Sequence, residues 1–324
     1  MGSKSFNSNI TAPVSIVIPV LNEAMTLPNL FKGLENQNLL PEELVFVDAG
    51  SADGSSELIA EWWELNRWEK GECRVILRQG AFPGAARNAG IETARSEWIA
   101  FLDAGVVPAP DWLNALFNYA RLHKIKGVFG VCRFMGESAI ERAFCALSYG
   151  YKAIHSVLPA SLFHRDIFRQ VGLFKPDLRS AEDIYWIKEY LKIYSPKEIC
   201  AEAEVTYRNF PDSASAGIKK WYVYGLNTAK AGVFKKQQLF YFLIFGILTV
   251  SFAHKFLLGA SMLTVYAITR GVIIPIKKSG TWHWWKGNFS AFMVAAFLGV
   301  LLDTAKTVGL LAGHTNRLIK LVYS

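Results

Sequence analysis

Val14-Ser15-Ile16-Val17-Ile18-Pro19-Val20 is a mostly β-branched apolar run without polar alternation, and Glu43-Leu44-Val45-Phe46-Val47-Asp48 repeats the pattern. Continuous runs of this kind suit strands buried on both faces of a parallel sheet. Between them Leu27, Leu30, Phe31 and Leu34 recur at helical spacing and define one apolar helix face. Strand, helix, strand opens an α/β domain, and the alternation continues outward. Ser51-Ala52-Asp53-Gly54-Ser55 is a turn able to cap a helix over 57–66, followed by a third strand at 74–77 and a helix at 85–93. Residues 98–103 read as a fourth strand, Pro110-Asp111-Trp112 opens another helix, and 127–133 reads as a fifth strand.

Two of these strands end in an aspartate, Asp48 and Asp103. The carboxyl edge of an open α/β sheet is where ligands bind. Together with Glu23, the two aspartates put three carboxylates on one rim, where mutual repulsion calls for a cation or a hydrogen-bonding ligand.

The chain has 324 residues, 52% of them hydrophobic, with a mean hydropathy of +0.20 and a formal charge of +8. That composition excludes a disordered chain or a disulfide-stapled miniprotein. The charge is unevenly placed: residues 1–200 carry 21 Lys and Arg against 23 Asp and Glu, whereas 201–324 carry 14 against 4. The basic surplus flanks apolar runs at 239–253, 256–276 and 289–311, with Lys235-Lys236 and Lys277-Lys278 at their borders. Lysines bracketing long apolar runs mark membrane spans with those borders on the cytoplasmic side, and no basic stripe suited to nucleic acid is present. The third run holds Asp303 and Lys306, spaced for an internal ion pair, so it is either a span or a helix lying against the membrane, giving two or three spans. Ahead of the runs, Ile218, Trp221, Tyr222, Tyr224 and Leu226 interleave with Lys219, Lys220 and Lys230, as in an amphipathic helix lying on headgroups. Cys73, Cys132, Cys145 and Cys200 have no zinc-ligand spacing and are expected as free thiols. Residues 1–6 lack the apolar core of a signal peptide, so the first domain is expected on the cytoplasmic side.

Five segments in order, Ile18-Pro19-Val20-Leu21-Asn22-Glu23, Val47-Asp48-Ala49-Gly50-Ser51, Gly84-Ala85-Ala86-Arg87-Asn88-Ala89-Gly90, Phe101-Leu102-Asp103-Ala104-Gly105 and Ala181-Glu182-Asp183, resemble the inverting glycosyltransferases of family 2. The resemblance implies a GT-A fold, a Rossmann-like α/β domain with a mostly parallel sheet. It implies that Pro19, Val20, Glu23 and Asp48 hold the base and ribose of a nucleotide sugar, with Ala49 where the family usually has a second acid. Arg87 would approach the diphosphate, a role that suits a guanidinium at a helix start. Asp103 would begin an Asp-x-Asp motif that holds Mg²⁺ or Mn²⁺, although Gly105 replaces its second acid. Asp183, beside Glu182, would be the general base toward the acceptor hydroxyl, or would orient an acceptor that is already ionised.

The expected organisation is a GT-A domain over 1–210, an amphipathic interfacial helix over 211–236 and a membrane domain over 237–324. The expected activity is inverting transfer from a UDP- or GDP-linked sugar to a lipid, glycolipid or other membrane-proximal acceptor by an integral membrane protein whose partners are the nucleotide sugar, the acceptor and the bilayer. Two alternatives stay open at this point. A nucleotidyltransferase would release pyrophosphate, and a catalytically dead nucleotide-binding scaffold would fit the missing acids at Ala49 and Gly105.

Overall fold

A computed structural model of the protein describes residues 11–69, 71–152 and 155–323. The N-terminal residues 1–6, on which the cytoplasmic expectation rests, lie outside the described residues. The chain forms two compact units, one drawn from residues 11–133, 155–177 and 182–209, the other from 134–152, 178–181 and 210–323.

The first unit opens with β1 (Thr11–Val20), α1 (Leu27–Glu35), β2 (Leu40–Asp48), α2 (Ser55–Asn66), β3 (Glu72–Leu77), α3 (Pro83–Thr93) and β4 (Trp98–Phe101). These four strands run parallel in the order β3-β2-β1-β4. Val14, Ile16, Val17 and Ile18 of β1 are fully buried, as the unbroken apolar run requires, and Leu27, Leu30, Phe31 and Leu34 are the buried face of α1. Helix α2 starts at Ser55 rather than at 57, because the Asp53 carboxylate accepts hydrogen bonds from the Ser55 amide and hydroxyl and closes the turn two residues earlier. Strand β4 ends at Phe101 rather than at 103, which leaves Asp103 in the loop beyond it.

The unit continues through β5 (Val106–Pro108), α4 (Trp112–Leu122) and β6 (Gly127–Phe134), whose last residue passes to the second unit together with α5 (Ala139–Ser148). It resumes with β7 (His155–Ser156), β8 (Leu162–His164), α6 (Asp166–Val171), α7 (Glu182–Ile193) and β9 (Ile199–Tyr207). Antiparallel pairing of β8 with β4 and with β6 extends the parallel half into one mixed sheet, in the order β3-β2-β1-β4-β8-β6-β9-β5. Phe101, Phe129, Phe163, Trp186 and Tyr190 pack edge to face and stacked beneath it, which anchors α7 to the sheet.

The second unit holds α5, α8 (Ala214–Ala231), α9 (Lys235–His254), α10 (Phe256–Ile268), a π-helical turn (Thr269–Ile273), α11 (Ile274–Ser279) and α12 (Phe289–Tyr323). Helix α5 begins with a reciprocal cap: Ser138 Oγ accepts from the Glu141 amide, and the Glu141 carboxylate accepts from the Ser138 amide. Three helices, Lys235–His254, Phe256–Ser279 and Phe289–Asn316, are long and apolar enough to cross a membrane. Helix α8 packs along α12 so closely that a Cβ at Gly225 would lie 2.1 Å from the Lys306 carbonyl oxygen. Asp303 does not pair with Lys306 as its spacing suggested. It takes Arg270 Nε at 2.6 Å and Nη2 at 3.1 Å, while Lys306 Nζ donates to Gln237 at 3.2 Å. A planar guanidinium that meets both carboxylate oxygens outcompetes a helical neighbour whose ammonium acts as a point charge.

Candidate active site

Parallel register brings the ends of three strands together. Val20 of β1 is paired with Asp48 of β2, and the Leu102 amide donates to the Val17 carbonyl, so Asp103 follows beside the end of β1. The loops after β1 and β2 are laced to one another. The amides of Asn22, Glu23 and Ala24 donate to Ser51 Oγ, Ser55 Oγ and Asp53 Oδ2, each at 2.9 Å, and Asn22 Oδ1 accepts from the Ala52 amide. Asn22 adopts φ of 55°, a left-handed turn that asparagine tolerates. Pro19 and Glu23 are partly exposed on this rim, while the Val20 side chain is buried and presents only backbone.

Asp48 is buried under its own loop. Its Oδ1 accepts from the Gly50 amide at 2.9 Å and from the Ser51 amide and hydroxyl at 2.8 Å, and its Oδ2 accepts from Ser56 Oγ. Burial alone would raise this carboxyl, but the Ser56, Ser51 and Gly50 donors outweigh it and hold the group below the usual aspartate range.

The second cluster is built around Arg87. Helix α3 starts with Pro83 and comes close to two elements. A Cβ at Gly90 would sit 2.3 Å from Val17 Cγ1, and one at Gly84 would sit 2.5 Å from the Lys175 carbonyl oxygen. The two glycines therefore let α3 lie against β1 and the 174–175 segment. Arg87, 4% exposed, donates from Nη1 to Glu182 Oε1 at 2.6 Å and from Nη2 to Asp103 Oδ1 at 2.7 Å, with the Phe174 ring 5.9 Å from its guanidinium carbon. Its buried Nε has no hydrogen-bond partner among the described residues.

Glu182 and Asp183 open α7 directly after Ala181, which is held at φ of 65°. Glu182 is buried against Arg87, whereas Asp183 is partly exposed and its Oδ1 accepts from the Ile184 amide at 2.8 Å. Burial raises both carboxyls above their ordinary values, with Arg87 pulling the other way on each. A carboxylate raised in this way is a stronger proton acceptor than a surface one.

Among the described residues, no three His, Cys, Asp or Glu side chains converge as a metal site. Asp103, held by Arg87 at 2.7 Å, nevertheless keeps its side chain 41% exposed. A divalent cation brought in on a diphosphate would find Asp103 as a protein ligand here, with further oxygens supplied by the ligand and water.

Two partners of this site carried no distinctive signal in the sequence. Asn88 donates to the Phe174 carbonyl at 2.8 Å and accepts from its amide at 2.9 Å, fixing the segment that stacks on Arg87. Its place beside Arg87 in the glycine-bounded helix start was the available clue. Lys197 donates to Ser156 Oγ at 2.8 Å with its ammonium 4.0 Å from the Phe129 ring centroid, and burial lowers it to about 8 against the pull of Asp183. Nothing in its local sequence marks it. The four cysteines are free, and burial pushes Cys73 and Cys145 up to about 12, so neither is a thiolate at neutral pH.

Residues 15–171 match the family model described as glycosyl transferase family 2. Glycosyltransferase AglE of Haloferax volcanii is 30% identical over 186 residues, 54% of this chain and 60% of that protein. The undecaprenyl-phosphate 4-deoxy-4-formamido-L-arabinose transferase of Pectobacterium carotovorum is 34% identical over 110 residues, 33% of each chain. This chain thus spans less than two thirds of the length of either relative. In fold, the chain resembles a Pyrobaculum calidifontis mannosyltransferase solved with GDP-Man and Mn²⁺, with TM-score 0.57 and 16% identity over 89% of this chain and 87% of that one.

Proposed function

We propose that this chain, whose residues 15–171 match the model of glycosyl transferase family 2, transfers a sugar from a UDP- or GDP-linked donor to a lipid-linked acceptor at a membrane surface, with inversion. The observation that carries the reading is the Arg87 bridge to Asp103 and Glu182 with Asp183 adjoining it. A bound diphosphate, an exposed carboxylate and a raised base are the three groups such a transfer needs within one site.

In this reading Pro19, Val20 and Glu23 border the base and ribose, and Asp48 holds their loop in shape through its four donors. Arg87 favours the ionised form of Glu182, aims Asp103, and adds its positive charge beside the site proposed for the diphosphate. A divalent cation at Asp103 would supply positive charge to the departing diphosphate. Asp183 accepts the proton of the acceptor hydroxyl as that oxygen bonds to the anomeric carbon and the nucleoside diphosphate leaves from the opposite face. Lys197, by its field on Asp183, favours the ionised base.

The membrane-proximal acceptor is supported by the three apolar helices and by relatives whose names include an undecaprenyl-phosphate transferase. An amphiphilic acceptor and a soluble donor meet only at the bilayer surface. The organisation proposed is a transferase domain to about residue 210, apart from 134–152 and 178–181, which belong with the C-terminal helices, then a helix over 211–236 and a membrane domain beyond it, with the catalytic domain on the cytoplasmic side as the flanking lysines favour.

The test is release of nucleoside diphosphate by the detergent-purified full chain from UDP- and GDP-sugars, with membrane lipid extract, with Mn²⁺ or EDTA, beside Asp183→Asn. Lipid-dependent release lost in the variant supports the reading. Pyrophosphate release would make the protein a nucleotidyltransferase, and nucleotide binding without turnover would make it a scaffold.

A further inference from the structure

The second unit contains a cavity of about 610 Å³ between the first turns of α9 and the α10–α11 rod, with Asp303 of α12 at its wall. Its ends differ in chemistry. One end carries Gln237, Arg270 and Lys278, and the other is lined by Phe240, Ile244, Met262 and Val265. Seventeen helical positions separate Lys278 from Ser261, so the cavity follows the rod for roughly 25 Å at 1.5 Å per residue. Phe240 and Val265 are 54% and 65% exposed, which opens the apolar end sideways on a helix pair suited to hydrocarbon.

The charged end is built rather than accidental. Asp303, 1% exposed, takes Arg270 Nε and Nη2, Tyr266 OH at 2.8 Å and Tyr241 OH at 3.2 Å, so its charge is neutralised within the cluster. Among the described residues Lys278 donates to carbonyls alone, those of Leu147 and Ser148 at the end of α5. Lys306 touches two lining residues, Gln237 and the Tyr241 ring. The wall therefore keeps a surplus of positive charge and spare N–H donors on Lys278 and Arg270 beside a long apolar trough. An anionic head on an apolar tail matches both halves, whereas a free anion leaves the trough unfilled and a neutral lipid leaves the cations unpaired.

We propose that this cavity binds an anionic lipid that ends in a phosphate monoester, the head against Lys278 and Arg270 and the head-proximal part of the tail along Phe240, Ile244, Met262 and Val265. The site rests on the bilayer half of the proposed function and is independent of the transfer half. Its readout is accordingly binding without donor, which stands whether or not sugar transfer is observed.

The experiment uses the full chain in phosphatidylcholine nanodiscs and a prenyl phosphate bearing a diazirine near its head. After illumination, the labelled peptide is mapped, with unlabelled prenyl phosphate, the matching prenol and inorganic phosphate as competitors. The expected label lies on α9 or the α10–α11 rod. Prenyl phosphate competes about tenfold or more better than prenol, the factor one charge-assisted hydrogen bond supplies, and inorganic phosphate does not compete. Val265→Trp, at an exposed position, blocks the trough and removes the label without lowering the melting temperature, and Lys278→Gln reduces the preference for phosphate over alcohol. Equal competition by prenol, competition by inorganic phosphate alone, or full labelling of a folded Val265→Trp chain would each overturn the site.

Discussion

Arg87 Nη1 and Glu182 Oε1 lie 2.6 Å apart across 95 positions of sequence, and the same guanidinium reaches Asp103 at 2.7 Å through its other terminal nitrogen. One buried cation thus sets the positions of a carboxylate at the end of the parallel sheet and of another at the start of the helix that carries Asp183. The bridge has a direct cost when broken. Arg87→Met leaves Glu182 buried and uncompensated and should destabilise the protein by about 3–5 kcal/mol, read as a loss of denaturant midpoint. Combining it with Glu182→Leu should restore part of the stability and none of the turnover.

Asp183→Asn removes the proton acceptor while keeping shape and the Ile184 amide contact. Turnover should fall by about 10²–10⁴-fold with the melting temperature nearly unchanged. The pH dependence follows from burial. A carboxyl raised above the ordinary aspartate value of 3.8 must lose its proton at a higher pH, so kcat/KM should decline on the acid side before an ordinary aspartate would protonate. A pH–rate profile with its acid limb at or below that ordinary value would contradict the assignment.

Asp48 works in the opposite direction, since its donors outweigh burial and lower its pKa. The folded chain therefore holds the ionised form more tightly than the unfolded chain does. That stabilisation is fully present above the ordinary value of 3.8 and is lost as pH falls through the lower folded value. Asp48→Asn should cost about 1–2 kcal/mol at neutral pH and show a smaller loss of stability on acidification than the parent, as followed by urea unfolding at several pH values.

Gly105 has room for a side chain, because the nearest atom to a Cβ there is Asn209 Nδ2 at 3.4 Å. Gly105→Asp should fold normally and, with a nucleoside diphosphate present, bind Mn²⁺ more tightly than the parent. Asp103→Asn should weaken that binding. Electron paramagnetic resonance of free Mn²⁺ measures both, and equal affinity in all three proteins would remove Asp103 from the cation site.

Gly90 lacks such room. Gly90→Ala drives a methyl into Val17 Cγ1 and should cost about 1–3 kcal/mol by overpacking. Val17→Ala in the same chain should relieve most of the clash, so a double variant no more stable than Gly90→Ala would show that the close approach is not what requires the glycine.

Much of the parallel half was legible because β1 and β2 are unbroken apolar runs and α1 shows its face at Leu27, Leu30, Phe31 and Leu34. Strands β7 and β8 were not, since two or three residues such as His155–Ser156 and Leu162–His164 carry no periodicity, and their pairing is decided by β6 and β4. The motif residues were legible by type, but not their partners. Nothing near Arg87 announces a carboxylate 95 positions away, and the spacing of Asp303 and Lys306 pointed to a local pair that Arg270 displaces. Local spacing reports which contacts a helix permits, and packing chooses among them.

Helix α5 lies in the chain between strands β6 and β7, yet it belongs to the C-terminal unit, where Arg270 Nη1 and Lys278 Nζ hold the carbonyl of its residue Leu147. The apolar C-terminal helices are therefore not a detachable cassette. A gene cut after the transferase motifs would code for a protein in which an internal helix has lost its neighbours and two of the donors that close its end. Trading one apolar helix for another by recombination would require replacing two separated stretches of the gene at once, so α5 and the C-terminal helices are constrained to evolve as one inheritance.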